Sequence, residues 1–278
     1  MDTRPIGIFD SGLGGLTAVR ALVEAAPWES FVYLGDTANA PYGDKTPEQL
    51  EALSQQNIRF LHGKGVKAFL VACNTSTANT MDVMLAERRG LPLVGVIRPA
   101  AEAAVKATSS GRVAVMATAA TARSGAYERA VKELMPDARV TVQSCPKLVP
   151  LVEGGHTDPA DPALTEAVEE YTAPIRAAGA DTVVLGCTHY PIIRAALEDA
   201  LGPDVALIDS GAVSVGALLD TLARHGALGN QETPGSRQFY CSAGKELFTA
   251  VGSAFLGWDM SDMTEEVSFP CQDPPTKS

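Results

Sequence analysis

The sequence predicts an α/β protein: two pseudo-symmetric lobes with parallel sheets flanked by helices, and an active site in the cleft between them. Three observations carry this. Short apolar runs alternate with helical ones along the chain, the pattern of parallel sheets covered on both faces. Two runs share one form: Phe69-Leu70-Val71-Ala72-Cys73-Asn74-Thr75 and Val183-Val184-Leu185-Gly186-Cys187-Thr188-His189. Each passes from a buried strand through a small residue to Cys and then to hydrogen-bonding side chains. The spacing also repeats, because Asp10 precedes Cys73 by 63 residues and Thr118 precedes Cys187 by 69.

Residues 5–10 read as the first strand, ending in Asp10. Gly12, Gly14 and Gly15 then let backbone approach closely at a strand-to-helix turn, where free N–H groups favour anions. The Gly-x-Gly-x-x-Gly spacing of a dinucleotide site is absent. A helix over 17–26, a strand over 31–35 and a loop of turn formers over 36–43 follow. Thr46-Pro47-Glu48-Gln49 opens a helix to about His62, with Thr46 as cap, Pro47 at the first position and Gln49 three residues on. The Cys73 strand leads to a helix over 76–88 and a strand over 93–97.

The second half repeats the plan. A strand over 111–117 ends at the small polar residues Thr118 and Thr121, followed by a helix over 124–134 and a strand over 138–143. Residues 145–155 read as irregular and deliver Glu153 into a glycine-flanked turn. Asp161-Pro162 starts a helix to about Gly179, ahead of the Cys187 strand. A strand over 205–208, a helix capped by Ser210, a strand over 238–241 and a helix over 245–255 complete the chain, and 271–278 read as a frayed tail. The first lobe is expected to comprise residues 1–98 plus 210–270, with Asp10 and Cys73. The second is expected over 99–209, with Glu153, Cys187 and His189.

At 278 residues the chain has the length of one large domain or two ordinary ones. Hydrophobic residues at 46% and charged residues at 20% describe a globular composition, not a disordered one. The net charge of −11 argues against nucleic acid and anionic membranes as main partners. An anionic small substrate stays open. No basic N-terminus precedes an apolar core and no apolar run approaches about 18 residues, so neither signal peptide nor membrane span is expected. Five cysteines, odd in number and without a Cys-x-x-Cys pair, suit neither a disulfide framework nor a structural zinc site. A reducing cytoplasm is the expected compartment.

A cysteine in an apolar strand is usually a small buried hydrophobe, and Cys145 and Cys241 are read so, with Cys271 in the tail. Cys73 and Cys187 differ, because each ends a strand at an equivalent place in two repeats. A thiolate is a base and a thiol an acid. One on either face of a carbon with an acidic proton removes that proton while the other returns one, giving the mirror image. A disulfide pair would leave Asn74-Thr75 and Thr188-His189 without a use.

Asp10-Ser11-Gly12-x-Gly14-Gly15-Leu16, Pro41-Tyr42-Gly43, Ala72-Cys73-Asn74-Thr75, Leu151-Val152-Glu153 and Gly186-Cys187-Thr188-His189-Tyr190-Pro191 together resemble the glutamate racemases of the cofactor-independent aspartate/glutamate racemase superfamily. The resemblance implies interconversion of L- and D-glutamate without cofactor or metal, supply of D-glutamate to peptidoglycan, and a homodimer. It implies Cys73 and Cys187 as the acid/base pair, with Asp10 near Cys73, and Glu153 and His189 near Cys187. Ser11, Tyr42, Gly43, Asn74, Thr75 and Thr188 match substrate-binding positions, and Asp10, Thr118, Thr121 and His189 are expected to bind substrate as well. Read without the resemblance, Asp10 also suits a helix cap, Glu153 a solvated loop charge and His189 a satisfied structural ring. Two segments depart from the pattern: Arg98-Pro99-Ala100 replaces the usual Glu-Pro-Gly, and Ser76-Thr77 replaces Ala-Ser.

Overall fold

The structure, a computed structural model, describes residues 1–230 and 232–269, so the tail expected over 271–278 lies outside the described residues. The first half supplies strands β1 (Ile6–Asp10), β2 (Phe31–Gly35), β3 (Ala68–Val71) and β4 (Leu93–Gly95). The second supplies β5 (Arg112–Ala117), β6 (Arg139–Ser144), β7 (Thr182–Gly186) and β8 (Ala206–Asp209), and β9 (Arg237–Cys241) and β10 (Thr264–Glu266) follow. They form two sheets, ordered β10-β9-β2-β1-β3-β4 and β6-β5-β7-β8. All pairings are parallel. The order β2-β1-β3-β4 recurs as β6-β5-β7-β8, so β1 corresponds to β5 and β3 to β7.

That correspondence places the chemistry. In each sheet the strand order reverses at the β1–β3 or β5–β7 pair, the place where open α/β sheets bind ligands at their carboxyl ends. Register carries Phe9 opposite Val71 and Ala117 opposite Gly186. Asp10 and Cys73 therefore leave neighbouring strand ends in one sheet, and Thr118 and Cys187 in the other. Val183, Val184 and Leu185 are fully buried, as strands covered on both faces require.

Helices cover the sheets: α1 (Leu16–Ala25), α2 (Pro47–Gly63), α3 (Asn74–Glu87), α4 (Ile97–Ala107), α5 (Ala119–Ser124), α6 (Ala126–Leu134), α7 (Leu148–Glu153), α8 (Pro162–Ala177), α9 (Arg194–Leu201), α10 (Ser210–Arg224) and α11 (Lys245–Leu256). α10 packs on both α1 and α4. The expected capping box forms, with Gln49 N donating to Thr46 Oγ1 at 3.3 Å and Thr46 N donating to Gln49 Oε1 at 3.0 Å. No helix among the described residues is long and apolar enough to cross a membrane.

Several local expectations are corrected. Residues 97–107 are helical and not a strand end followed by a connection, because Pro99 sits in the first turn, where its missing N–H costs nothing. Ala100, Ala101 and Ala104 bury one face of that helix. Residues 148–153 form α7 instead of an irregular run, and α9 and β10 were not anticipated. The helix read over 124–134 forms as α6 from Ala126, and a separate short helix that was not anticipated, α5, precedes it and ends at Gly125 with φ 64°. Asp209, not Ser210, caps α10: its carboxylate accepts from Gly211 N at 2.9 Å and Ala212 N at 3.1 Å.

Candidate active site

Cys73 and Cys187 line one cavity of about 280 Å³. Each thiol is set by a strand that ends beside it. Cys73 follows β3 and caps α3, its Sγ accepting from Ser76 N at 3.4 Å. Cys187 follows β7, where Gly186 has no room for a side chain: a Cβ there would meet the Met116 carbonyl oxygen at 2.7 Å. Both cysteines are buried, and both are free thiols.

Of the residues singled out from the sequence, Ser11, Tyr42, Gly43, Asn74, Thr75, Thr118, Glu153, Thr188 and His189 line the same cavity. Asp10 and Thr121 are not among its lining residues. Asp10 is buried behind the wall, where Gly15 N donates to its Oδ1 at 3.2 Å and Thr188 Oγ1 does so at 3.1 Å. Thr121 is buried in a hydroxyl cluster with Thr75 and Thr118, at 3.3 Å and 3.0 Å. Tyr42 turns its hydroxyl away from the ligand space to Asp36 Oδ2, at 2.5 Å, and receives Asn57 Nδ2 at 3.0 Å.

The cluster spans both sheets. Thr75 Oγ1 lies 3.0 Å from Thr118 Oγ1, and Tyr127 Oη donates to Asn74 Oδ1 at 2.6 Å. The Asn74 amide donates to Ser210 Oγ at 3.2 Å, which itself donates to the Leu185 carbonyl on β7 at 2.8 Å. Gly14 packs against the second half with no room for a side chain: a Cβ there would meet Thr188 Oγ1 at 2.3 Å and the His189 ring at 2.7 Å.

The two thiols differ electrostatically. Burial and the neighbouring Asp10 carboxylate push Cys73 up to about 12. Burial also raises Asp10 itself, against the favourable charge of His189 and the Thr188 hydrogen bond. His189 stands beside Cys187, with Nδ1 3.7 Å from Sγ and Nε2 3.0 Å from Glu153 Oε1. Burial opposes charge on the ring, but Cys187, Glu153 and Asp10 outweigh it and raise His189 to about 10. The ring is therefore cationic near neutrality. It is the only positive side chain among the cavity's lining residues, which include no Lys or Arg. Apart from His189, a bound anion must rely on hydroxyl, amide and backbone N–H donors. The first-turn N–H groups at the start of α3 suit this role.

Sequence reasoning missed some of the wall. Cys145, assigned to the core, lines the cavity together with Pro146, Val149 and Pro150. Its place just after β6 repeats the strand-end signal that marked Cys73 and Cys187. Asp36, Tyr127 and Ser210 sit one hydrogen bond behind the wall, and only spatial proximity reveals them.

Residues 10–218 match the family model for Asp/Glu/Hydantoin racemase. A glutamate racemase of Desulforudis audaxviator is 42% identical over 94% of this chain and 96% of its own length. The crystal structure of a glutamate racemase from Bacillus anthracis superposes with a TM-score of 0.92 at 33% identity, covering 98% of this chain and all of that one. A glutamate racemase from Francisella tularensis, solved with D-glutamate, gives a TM-score of 0.89 at 32% identity over 96% and 98% of the two chains. The chain belongs to the Asp/Glu/hydantoin racemase family and, within it, to the glutamate racemases.

Proposed function

We propose that this chain interconverts L- and D-glutamate by a two-thiol proton transfer, with Cys73 and Cys187 on opposite faces of the substrate α-carbon. The observation that carries this reading is that both thiols line one small cavity from equivalent strand ends. The D-glutamate held by the Francisella tularensis relative supports the substrate.

In each direction one sulfur acts as thiolate and takes the α-proton, and the other, as thiol, gives a proton to the opposite face. The reaction then leaves the two sulfurs with exchanged protonation states, ready for the reverse direction. His189, cationic and beside Cys187, offers a counter-charge when that sulfur is ionised, and Glu153 holds the ring in place. Asp10 acts from behind the wall, through Thr188 and through its charge on Cys73. Ser11, Gly43, Asn74, Thr75 and Thr188 supply donors for the two carboxylates and help orient the amine, while Tyr42 shapes the wall. Thr118 holds Thr75, and Thr121 supports both.

The reading extends to two lobes, 1–98 plus 210–270 and 99–209, that enclose the substrate, and to a cytoplasmic homodimer whose D-glutamate enters peptidoglycan. Purified protein with L-glutamate and no added cofactor tests the activity: optical rotation is expected to decay to zero. Glutamate bound with no change in rotation would favour a binding protein instead.

A further inference from the structure

We propose that Ser76 is a positioning residue for ionised Cys73: its hydroxyl donates to the thiolate and is left without a partner when the sulfur is protonated. The inference rests on the two-thiol reading above. Ser76 is the third residue of α3, and its backbone amide already donates to Cys73 Sγ at 3.4 Å. That bond sets residue 76 beside the sulfur in the first turn of α3, and Ser76 is among the groups that act on Cys73. Ser76 is fully buried, and its Oγ finds no hydrogen-bond partner.

Its neighbours on α3 use theirs. Thr75 meets Thr118, Thr77 donates to the Cys73 carbonyl at 2.9 Å, and Thr80 donates to the Ser76 carbonyl at 2.8 Å. An orphaned buried hydroxyl costs stability in every state that leaves it orphaned. A neutral thiol is a weak acceptor, whereas an anionic sulfur makes the stronger, charge-assisted bond.

The other groups facing Cys73 leave this role open. Asp10, from the end of β1, opposes the thiolate. Tyr33, from β2, has its hydroxyl committed to the Gly12 carbonyl at 2.7 Å, and Tyr42 has given its own to Asp36. Ser11 favours the ionised sulfur, as do the Ser76 side chain and amide. Cys187 and His189 lie elsewhere on the cavity wall. When Cys73 accepts the α-proton, that proton ends on Sγ and the Ser76 bond weakens. When Cys73 gives it up, the bond re-forms. Position 76 is also where this chain departs from the pattern it otherwise resembles.

Ser76→Ala tests this, and alanine, the better helix former, removes only an oxygen without a partner. Alkylation of each cysteine by iodoacetamide, followed by peptide mass spectrometry at fixed pH, reads the thiolate directly. Loss of the donor raises Cys73 further, and its thiolate fraction is expected to fall about tenfold. Lower-pKa thiolates are intrinsically weaker nucleophiles, so the net effect is Cys73 alkylation slowed roughly threefold. Cys187 is expected to react at the parental rate, kcat to fall about tenfold with KM little changed, and Tm to hold or rise. Cys73 alkylated at or above the parental rate overturns the proposal, and so does equal slowing of both cysteines, which would report an altered cavity. If the parent protein fails to racemise glutamate while Cys73 still slows selectively, the role of Ser76 stands and the proposed reaction falls.

Discussion

Cys73 and Cys187 share a cavity but not an environment, and that asymmetry sets the behaviour of single residues. Cys73, buried beside Asp10, favours the thiol, whereas Cys187 has a cationic ring at 3.7 Å. Replacing either thiol by serine removes one acid/base partner, so Cys73→Ser and Cys187→Ser are each expected to lose at least about a hundredfold in kcat. Steady-state assays in both directions check this, and racemisation at the parental rate by both variants would end the thiol pair. His189 gives a pH test. Its pKa rises from 6.5 to about 10 on folding, so the folded state holds the extra proton between those values. The ring's contribution to stability is complete below about 6.5 and is lost as pH rises toward 10. Chemical denaturation across that range is expected to show a slope that His189→Asn flattens; an unchanged slope contradicts the raised pKa.

Secondary-structure elements bring these residues within reach, and they were unevenly legible. The strand-end cysteines stood out because one form, an apolar run ending in Cys and hydrogen-bonding residues, occurs twice. The helix of Pro47–Gly63 was legible from one capping box. The helix of Ile97–Ala107 was hidden by Pro99 and that of Leu148–Glu153 by Pro150; both prolines lie near the helix start, where proline does not break it. The strand Thr264–Glu266 has two exposed glutamates and no apolar run to announce it. No local pattern could show that Tyr127 and Ser210 brace the wall, since each reaches Asn74 across a long stretch of chain, and Asp36 meets Tyr42 six residues on only because the loop between them folds back. The turn at Gly14 gives the element-scale prediction. A Cβ there would collide with Thr188 and His189, so Gly14→Ala is expected to lower kcat/KM by more than tenfold while far-UV circular dichroism stays native. Parental activity would show that the two halves need not approach so closely.

The whole molecule is one strand order used twice, with the ends of β1, β3, β5 and β7 converging on one cavity. Bonds between the halves, Asp10 with Thr188 and Asn74 with Tyr127, hold the thiols to a common space. Away from the site, a buried ion pair ties the first sheet's entry points. Lys67 Nζ donates to Glu29 Oε2 at 2.6 Å and to the Asp2 carbonyl at 2.8 Å, and Gly229 N donates to Glu29 Oε1 at 2.6 Å. Both side chains are fully buried, so Lys67→Met leaves an uncompensated carboxylate and is expected to cost about 3–5 kcal/mol in urea unfolding. A loss below about 1 kcal/mol would show that water reaches the pair.

Two different sulfurs serving the two faces of one carbon would leave an isotopic record at that carbon. Proton NMR of L-glutamate turning over in D2O, read at early times, tests it most directly. The account predicts that newly formed D-glutamate carries solvent deuterium at its α-carbon while the remaining L-glutamate keeps its protium. D-glutamate that retains the original proton would mean one base serving both faces, and would contradict the account.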